Sequence, residues 1–272
     1  LAESYVRRAG EVPLADLCFS ANVARQHFRC RAAFVAASAS ELQRALERFT
    51  PQVWTVRPRL AFVFAGAGAA RSGAHELYAR EPAFRSAFDA ACARLEVAPD
   101  LPDSSDEDIA RGLALAYAQW AYLQQLGVAA DHVTGIGIGE QLAACATGRL
   151  PWSALRQSSV HDEPAELDRI STALDADVVC VVGARHLPEP SAWLRLEPCY
   201  DALLPALAAL YTAGIAIDWR AFDAPFVRHK RDVPLYPFQR KRHWLDPSAE
   251  PLSPAPAQTA HPLLRMATRR TT

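Results

Sequence analysis

Two short runs of apolar residues interrupt the mixed apolar and polar pattern of the chain. Leu60–Phe64 (LAFVF) and Asp177–Val182 (DVVCVV) have the length of strands. A strand that is apolar on both faces is typical of a parallel sheet covered on both sides. Helical patterns separate these runs, and a long one over Ile109–Leu126 is followed by Gly127 as a C-cap. This alternation of strands and helices predicts an α/β fold with a largely parallel sheet.

The segment before the first apolar run, residues 1–58, has a different pattern and is predicted to form a small α+β unit. Arg31–Ala37 (RAAFVAA) is predicted to be a strand. Ser38 lies three residues before Glu41, which is the spacing of a capping box, so a helix is expected from there.

Composition excludes several classes of function. The chain has 272 residues, 50% of them hydrophobic, and 29 Lys+Arg against 30 Asp+Glu leave a net charge of -1. Nucleic-acid binding proteins usually have a basic excess, so no nucleic-acid partner is expected. No apolar run reaches the roughly 18 residues that cross a bilayer, so no membrane association is expected.

The six cysteines form no C-x-x-C pair, and the histidines show no metal-ligand spacing. We therefore expect reduced thiols in a cytoplasmic protein, with no metal and no cofactor. The chain begins at Leu1 without an initiator Met or a signal-peptide pattern, so it is expected to be a segment of a longer polypeptide.

The segment Val133–Glu140 (VTGIGIGE) carries the clearest chemical signal. It is predicted to run from a strand through a tight turn into a helix, with the G-x-S-x-G spacing of a nucleophile elbow. The position that would carry the nucleophile is Gly137, which has no side chain, and Ile136 before it forms no hydrogen bond through its side chain. A dinucleotide fingerprint, G-x-G-x-x-G, fails because its third glycine position is Glu140.

Three segments together resemble one family. They are Phe62–Ala69 (FVFAGAGA), similar to F-x-F-P-G-Q-G; Gly135–Glu140 (GIGIGE), similar to G-H-S-x-G-E; and Leu235–Trp244 (LYPFQRKRHW), similar to Y-P-F-Q-R-x-x-x-W. On these motifs the chain resembles the acyltransferase domain of modular type I polyketide synthases with its flanking linkers. The resemblance implies a truncated, α/β-hydrolase-like parallel-sheet core that lacks the family's ferredoxin-like small subdomain and follows a small α+β linker domain.

The resemblance also implies a domain plan that covers almost the whole chain. Residues 1–58 resemble a ketosynthase–acyltransferase linker, residues 59–222 a truncated acyltransferase-like domain, and residues 223–246 a post-acyltransferase linker. Residues 247–272 are predicted to be a flexible linker, rich in Pro, Ser and Ala, in which His261–Leu264 resembles the start of a dehydratase.

Departures from the family motifs determine the predicted function. The family's catalytic serine and adjacent histidine correspond to Gly137 and Ile136, and its oxyanion-hole glutamine corresponds to Ala67. Neither the family's arginine nor its catalytic histidine is found between Gly148 and Asp177. The sequence therefore predicts no catalytic residue, only vestigial motif positions: Ala67, Gly135, Ile136, Gly137, Gly139 and Glu140.

The post-acyltransferase linker motif predicts an interface rather than a reactive site. By the resemblance, its aromatic residues pack on neighbouring domains and its cations lie at the rim of that contact. The predicted interface residues are Tyr236, Pro237, Phe238, Gln239, Arg240 and Trp244.

These observations lead to the hypothesis of a non-catalytic scaffold domain between a ketosynthase and a dehydratase. Its expected partners are those two domains, an acyl carrier protein and a trans-acting acyltransferase, within a synthase that dimerises through neighbouring domains. One alternative is an acyltransferase that loads an acyl unit through a non-standard nucleophile: Ser153, Ser158, Ser159 or Cys145. Another is a binding module that keeps affinity for acyl-CoA without turnover.

Overall fold

The structure is a computed structural model. It describes residues 2–50, 52–66, 73–101, 108–155, 170, 174–183 and 193–235. The described part contains two sheets, one parallel with four strands and one antiparallel with two.

The four-stranded sheet forms the centre of the molecule. Its strands are β3 (Leu60–Phe64), β4 (His132–Gly135), β5 (Val178–Val182) and β6 (Leu194–Leu196), in the order β4-β3-β5-β6. All three pairings are parallel, and the register places Phe64 opposite Gly135 on one side and Val182 on the other. All five residues of β3 are buried, as a central strand of a covered parallel sheet requires.

Nine α-helices lie in the described residues, together with one 3₁₀ turn at Trp152–Ala154. We number them α1 (Ala2–Glu11), α2 (Leu14–Val23), α3 (Ala39–Arg48), α4 (Ala74–Arg80), α5 (Pro82–Arg94), α6 (Ile109–Gln125), α7 (Ile138–Ala146), α8 (Tyr200–Thr212) and α9 (Trp219–Asp223).

The predicted long helix is confirmed as α6, which ends before Gly127 at φ +76°. Asp108 begins it by accepting a hydrogen bond from the N–H of Arg111 at 3.1 Å.

The two faces of the sheet are covered unequally. Alternate residues of β3 point to opposite sides, so Phe62 and Phe64 join a large cluster that includes α5, α6 and α8, whereas Ala61 and Val63 join a small one. The small cluster contains Ile136 and is bordered by the partly buried Ile170, Leu174, Ala176 and Trp193.

The N-terminal segment forms the predicted α+β arrangement, with a separate apolar cluster around Ala9, Leu17 and Leu42. The capping box at its third helix is confirmed: Ser38 Oγ accepts from the N–H of Glu41 at 3.2 Å, and the Glu41 carboxylate accepts from the N–H of Ala37 at 2.8 Å.

The predicted strand Arg31–Ala37 is largely wrong. Only Cys30–Arg31 (β1) pairs, antiparallel to Gln52–Val53 (β2). Phe34 and Ala36 instead pack against the N-terminal apolar cluster. The helices there bury these apolar side chains, whereas β2 has only two residues with which to pair.

Side chains join the N-terminal segment to the core at the end of α8. The Arg31 guanidinium donates to the carbonyl of Ile215 at 2.9 Å and to that of Tyr211 at 3.3 Å, and it stacks 4.9 Å from the Tyr211 ring centroid. Trp54 Nε1 donates to the carbonyl of Thr212. A cation at the C-terminal end of α8 is also favoured by the helix dipole.

Candidate functional site

The candidate site is the turn between β4 and α7, residues 135–140, which we call the elbow. It lies at the carboxyl edge of the parallel sheet, where α/β proteins usually bind ligands. The N–H of Ile136 donates to the carbonyl of Phe64 at 2.9 Å, so the turn is anchored to the end of the central strand.

Two of the elbow's glycines are required by close backbone contacts. A Cβ at Gly135 would lie 2.5 Å from the N atom of Glu140, and one at Gly139 would lie 2.7 Å from the carbonyl carbon of Phe64. Real Cβ atoms do not approach backbone so closely. The start of α7 therefore packs directly on the ends of β3 and β4, as the G-x-S-x-G spacing of a nucleophile elbow predicts.

Gly137, between those two glycines, has a different reason to be glycine. Its backbone has φ +53° and ψ -120°, which side chains other than hydrogen rarely tolerate. A Cβ at this position would meet nothing within 4 Å, and the residue is exposed. The elbow thus keeps the strained backbone that would present a nucleophile, with an open space where the side chain would be.

Ile136, the residue before Gly137, has its side chain buried in the sheet packing. It is 4% exposed and belongs to the small apolar cluster together with Val63 and Val181. The position that corresponds to the family's histidine is therefore part of the hydrophobic packing of the sheet.

Helix α7 supplies the remaining polar groups of the elbow. The N–H groups of Gly139 and Glu140 donate to the carbonyls of Ile136 and Gly137, at 2.8 and 3.2 Å. Glu140 is exposed in the first turn of α7, where a carboxylate is stabilised by the helix dipole. The elbow offers these backbone dipoles and the Glu140 carboxylate, and residues 135–140 include no hydroxyl or thiol side chain.

A third glycine contact, which sequence reasoning missed, closes the same edge of the sheet. Gly183 follows β5 at φ +75°, and a Cβ there would lie 2.9 Å from the carbonyl carbon of Gly66. Gly66 follows β3 and also lies close to Gly139, whose Cβ would be 3.2 Å from its N atom. The sequence did contain a signal for this contact. Gly183 directly follows the second apolar run, and Gly66 follows the first run after one intervening alanine. Ala67, the next vestigial position, lies outside the described residues.

Two of the alternative nucleophiles, Cys145 and Ser153, lie in the described residues. Cys145 is 5% exposed, and burial raises the pKa of its thiol, which disfavours the reactive thiolate. Ser153 lies in the 3₁₀ turn after α7, and Ser158 and Ser159 lie outside the described residues. Burial also raises the pKa of the Cys180 thiol, to about 12.

Among the described residues, no group of three His, Cys, Asp or Glu side chains is arranged to hold a metal ion. In the same part of the chain, no helix is long and apolar enough to cross a membrane.

The predicted linker interface lies outside the described residues, since Tyr236, Pro237, Phe238, Gln239, Arg240 and Trp244 all fall beyond residue 235. Residues 226–235, directly before it, are described, and we call this segment the strap. The strap lies against α1 and α2, with Val233 packed on the N-terminal apolar cluster.

A second polar group, remote from the elbow, lies inside the core. Glu81 is 1% exposed, and Tyr200 donates its hydroxyl hydrogen to the Glu81 carboxylate. Burial raises the pKa of Glu81. Glu81 lies between α4 and α5, so this contact connects their junction to the start of α8.

Comparisons with known proteins agree with this fold. The chain superposes on the acyltransferase domain of ZmaA with a TM-score of 0.61 at 14% identity, over 86% of this chain and 96% of that domain. It superposes on the acyltransferase domain from the second module of the salinomycin polyketide synthase with a TM-score of 0.51 at 19% identity, over 78% and 89% of the two chains. The fold is therefore that of an acyltransferase domain, as predicted.

Sequence comparisons relate the chain to polyketide synthases. Residues 2–46 match the family model described as CurL-like, PKS C-terminal. The chain is 27% identical to the spectinabilin polyketide synthase system protein NorC of Streptomyces orinoci, over 75% of this chain and 12% of that protein. The chain thus spans a small fraction of this relative's length. Its fold is that of an acyltransferase domain, and its sequence is similar to parts of polyketide synthase proteins.

Proposed function

We propose that this segment is a non-catalytic, vestigial acyltransferase-like domain with a structural function in the synthase. It holds a ketosynthase and a dehydratase at a fixed spacing, while an acyltransferase supplied in trans loads the acyl carrier protein. The observation that carries this proposal is Gly137 at the centre of the elbow, where the backbone is in the nucleophile conformation and the side chain is a hydrogen atom.

Acyl transfer through a covalent intermediate needs a nucleophile and a base within hydrogen-bond reach of it. Gly137 cannot be the nucleophile, and Ile136 beside it is buried in the apolar cluster. These are two independent losses at one turn, while Gly135 and Gly139, which only packing requires, remain. This combination supports a fold that is maintained without its chemistry.

The side-chain bonds between the N-terminal segment, the core and the strap support the structural function. Arg31 and Trp54 bind the end of α8, and the strap binds α1 and α2 through several hydrogen bonds. A domain that sets the spacing of its neighbours must keep its own segments in fixed positions, and these hydrogen bonds between segments do so.

Intact-mass spectrometry after incubation with malonyl-CoA and acetyl-CoA tests the absence of catalysis. We expect no mass shift, whereas an acyltransferase domain with an intact serine motif, as positive control, acquires the acyl group. A stoichiometric adduct on this chain would contradict the proposal, and peptide mapping would then identify the nucleophile.

The structural function needs its own test in the intact synthase. Replacing residues 59–222 with a flexible linker is expected to reduce product formation strongly, because the neighbours lose their spacing. Glu140→Gln, which changes the one charged side chain kept from the motif, is the matched control and is expected to leave product formation unchanged. Equal output from the replaced and unreplaced synthases would contradict a scaffold.

A further inference from the structure

The strap is held on α2 through its own main-chain N–H groups. The N–H of His229 donates to Asp16 Oδ1 at 3.0 Å, and the N–H of Arg231 donates to Ser20 Oγ at 2.7 Å. The Ser20 hydroxyl in turn donates to the carbonyl of Asp16 at 2.7 Å, which orients its oxygen toward the strap.

The strap's main-chain carbonyls are bound as well, by arginines of the same region. Arg8 Nε donates to the carbonyl of Asp232 at 3.2 Å. Arg25 Nη2 donates to the carbonyls of Val233 and Pro234, at 3.2 and 3.0 Å. Acceptors therefore meet the strap's N–H groups and donors meet its carbonyls.

The spacing of these contacts matches an extended segment that runs along a helix. Asp16 and Ser20 are four residues apart on α2, which corresponds to about 6 Å of helix rise. His229 and Arg231 are two residues apart, which corresponds to about 6.6 Å of extended chain. Two side chains one helical turn apart thus accept hydrogen bonds from alternate N–H groups of the strap, as a neighbouring strand would.

Burial distinguishes these contacts from ordinary surface hydrogen bonds. Asp16 is 6% exposed and Ser20 is fully buried, whereas His229 and Lys230 of the strap are exposed. The strap also contacts Asp16 through the Arg231 side chain, whose Nε lies 3.0 Å from Asp16 Oδ2. Hydrogen bonding from the His229 N–H and the Arg231 side chain lowers the pKa of Asp16, so this acid is charged in the joint.

We propose that Arg8, Asp16, Ser20 and Arg25 form a seat that recognises the main chain of residues 229–234, with Arg231 as the one side chain that sets the register. This inference deepens the proposed scaffold function, on which it rests, because the seat would fix where the downstream linker leaves the domain. Exposed strap side chains such as Lys230 are then free to vary without loss of binding.

Amide hydrogen exchange of the full chain, followed residue by residue, tests the seat. In Ser20→Ala we expect the Arg231 amide to exchange about tenfold faster or more, since it loses its acceptor, while the His229 amide keeps its protection. In Asp16→Ala we expect the His229 amide to accelerate by a similar factor. The amide of Ala24, which donates to the carbonyl of Ser20 within α2, reports whether the helix itself stays folded.

Lys230→Ala is the matched control in the strap, and both amides are expected to exchange within about threefold of the parent. Arg231→Lys is expected to accelerate both amides by less than Asp16→Ala does, because the charge remains and the side-on guanidinium contact is lost.

Two results would overturn the seat: unchanged exchange at 229 and 231 in the α2 variants with Ala24 protected, or equal acceleration in Lys230→Ala. Acylation of the chain by malonyl-CoA would overturn the proposed function while leaving the exchange pattern as it is.

Discussion

The elbow and the seat use opposite parts of the polypeptide. At the elbow, backbone geometry is kept in detail and the side chains that would react are absent: Gly137 holds φ +53° over an open space. At the seat, the backbone is ordinary helix and the side chains are specialised, with buried Asp16 and Ser20 both bonded to the strap. At the seat, polar side chains therefore serve to join two segments of the chain.

The elbow and the seat show two different reasons why particular residues are needed: packing in the elbow and binding of the strap in the seat. Gly135 and Gly139 are needed for helix α7 to pack on the sheet, so they would persist in a domain that only has to fold. Asp16 and Ser20 would not be needed by α2 alone, since a buried polar side chain without a partner destabilises a fold. Their presence indicates that binding the strap is a property of the native structure.

The largest effect is expected at the packing glycine of the elbow. Gly139→Ala places a Cβ against the backbone of Phe64, and we expect it to lower the free energy of unfolding by about 3 kcal/mol or more. Gly10→Ala in α1 is the matched control, because nothing lies within 4 Å of its Cβ. It is expected to be neutral or to stabilise by about 0.5–1 kcal/mol. Urea unfolding measures both, and equal effects would show that the close contact is absent.

Restoring the family's serine is expected to strain the elbow without activating it. Gly137→Ser has room for the side chain but must adopt φ +53°, which costs about 1–3 kcal/mol. We expect reduced stability and no acyl adduct after incubation with malonyl-CoA, because the neighbouring Ile136 cannot accept the hydroxyl proton. An adduct on Ser at 137 would show that the site kept more of its machinery than Gly137 and Ile136 indicate.

At the seat, removing one hydroxyl is expected to have a measurable effect on stability. Ser20→Ala leaves the N–H of Arg231 without its acceptor, and we expect a loss of about 1–2 kcal/mol. Ser86→Ala, at an exposed position within α5, is the matched control and is expected to change stability by less than about 0.5 kcal/mol. A Ser20 variant as stable as the control would mean that water replaces the lost contact.

The smallest effect concerns pH and compares two buried acids, Glu81 in the core and Asp16 in the seat. Burial raises the pKa of Glu81 above its unfolded value, so the native state binds its proton more tightly. The contribution of this group to stability is then greatest in acid and falls as pH rises above the unfolded pKa, until the raised native pKa is passed. Glu81→Gln is expected to flatten this slope and to change stability at pH 7 by about 1 kcal/mol.

Unfolding of the parent and of Glu81→Gln at pH 5 and pH 8 measures that slope. The contribution of Asp16 to stability depends on pH in the opposite direction, because hydrogen bonds lower the pKa of Asp16. That contribution is present at neutral pH and is lost in acid. A parent slope that survives in Glu81→Gln would assign it to another group.

Local patterns predicted most of the fold. The apolar runs became β3 and β5, Gly127 and Gly148 follow helices at positive φ, and Ser38 caps α3. Prediction failed at Arg31–Ala37, where an apolar run suited to a strand packs under helices instead. Short apolar segments fit either environment, so a partner that is distant in sequence decides between them. The domain boundaries and the linker interface remain predictions.

The sequence by itself determined that residue 137 cannot be a side-chain nucleophile, since a glycine lacks the necessary atoms in any fold. It also determined the parallel sheet, because period and length are local properties of the chain. Only the tertiary structure decided that Gly66, Gly139 and Gly183 meet at one edge, and that Asp16 binds a residue 213 positions away. Such contacts depend on how the chain returns on itself, and no spacing along the sequence encodes that distance.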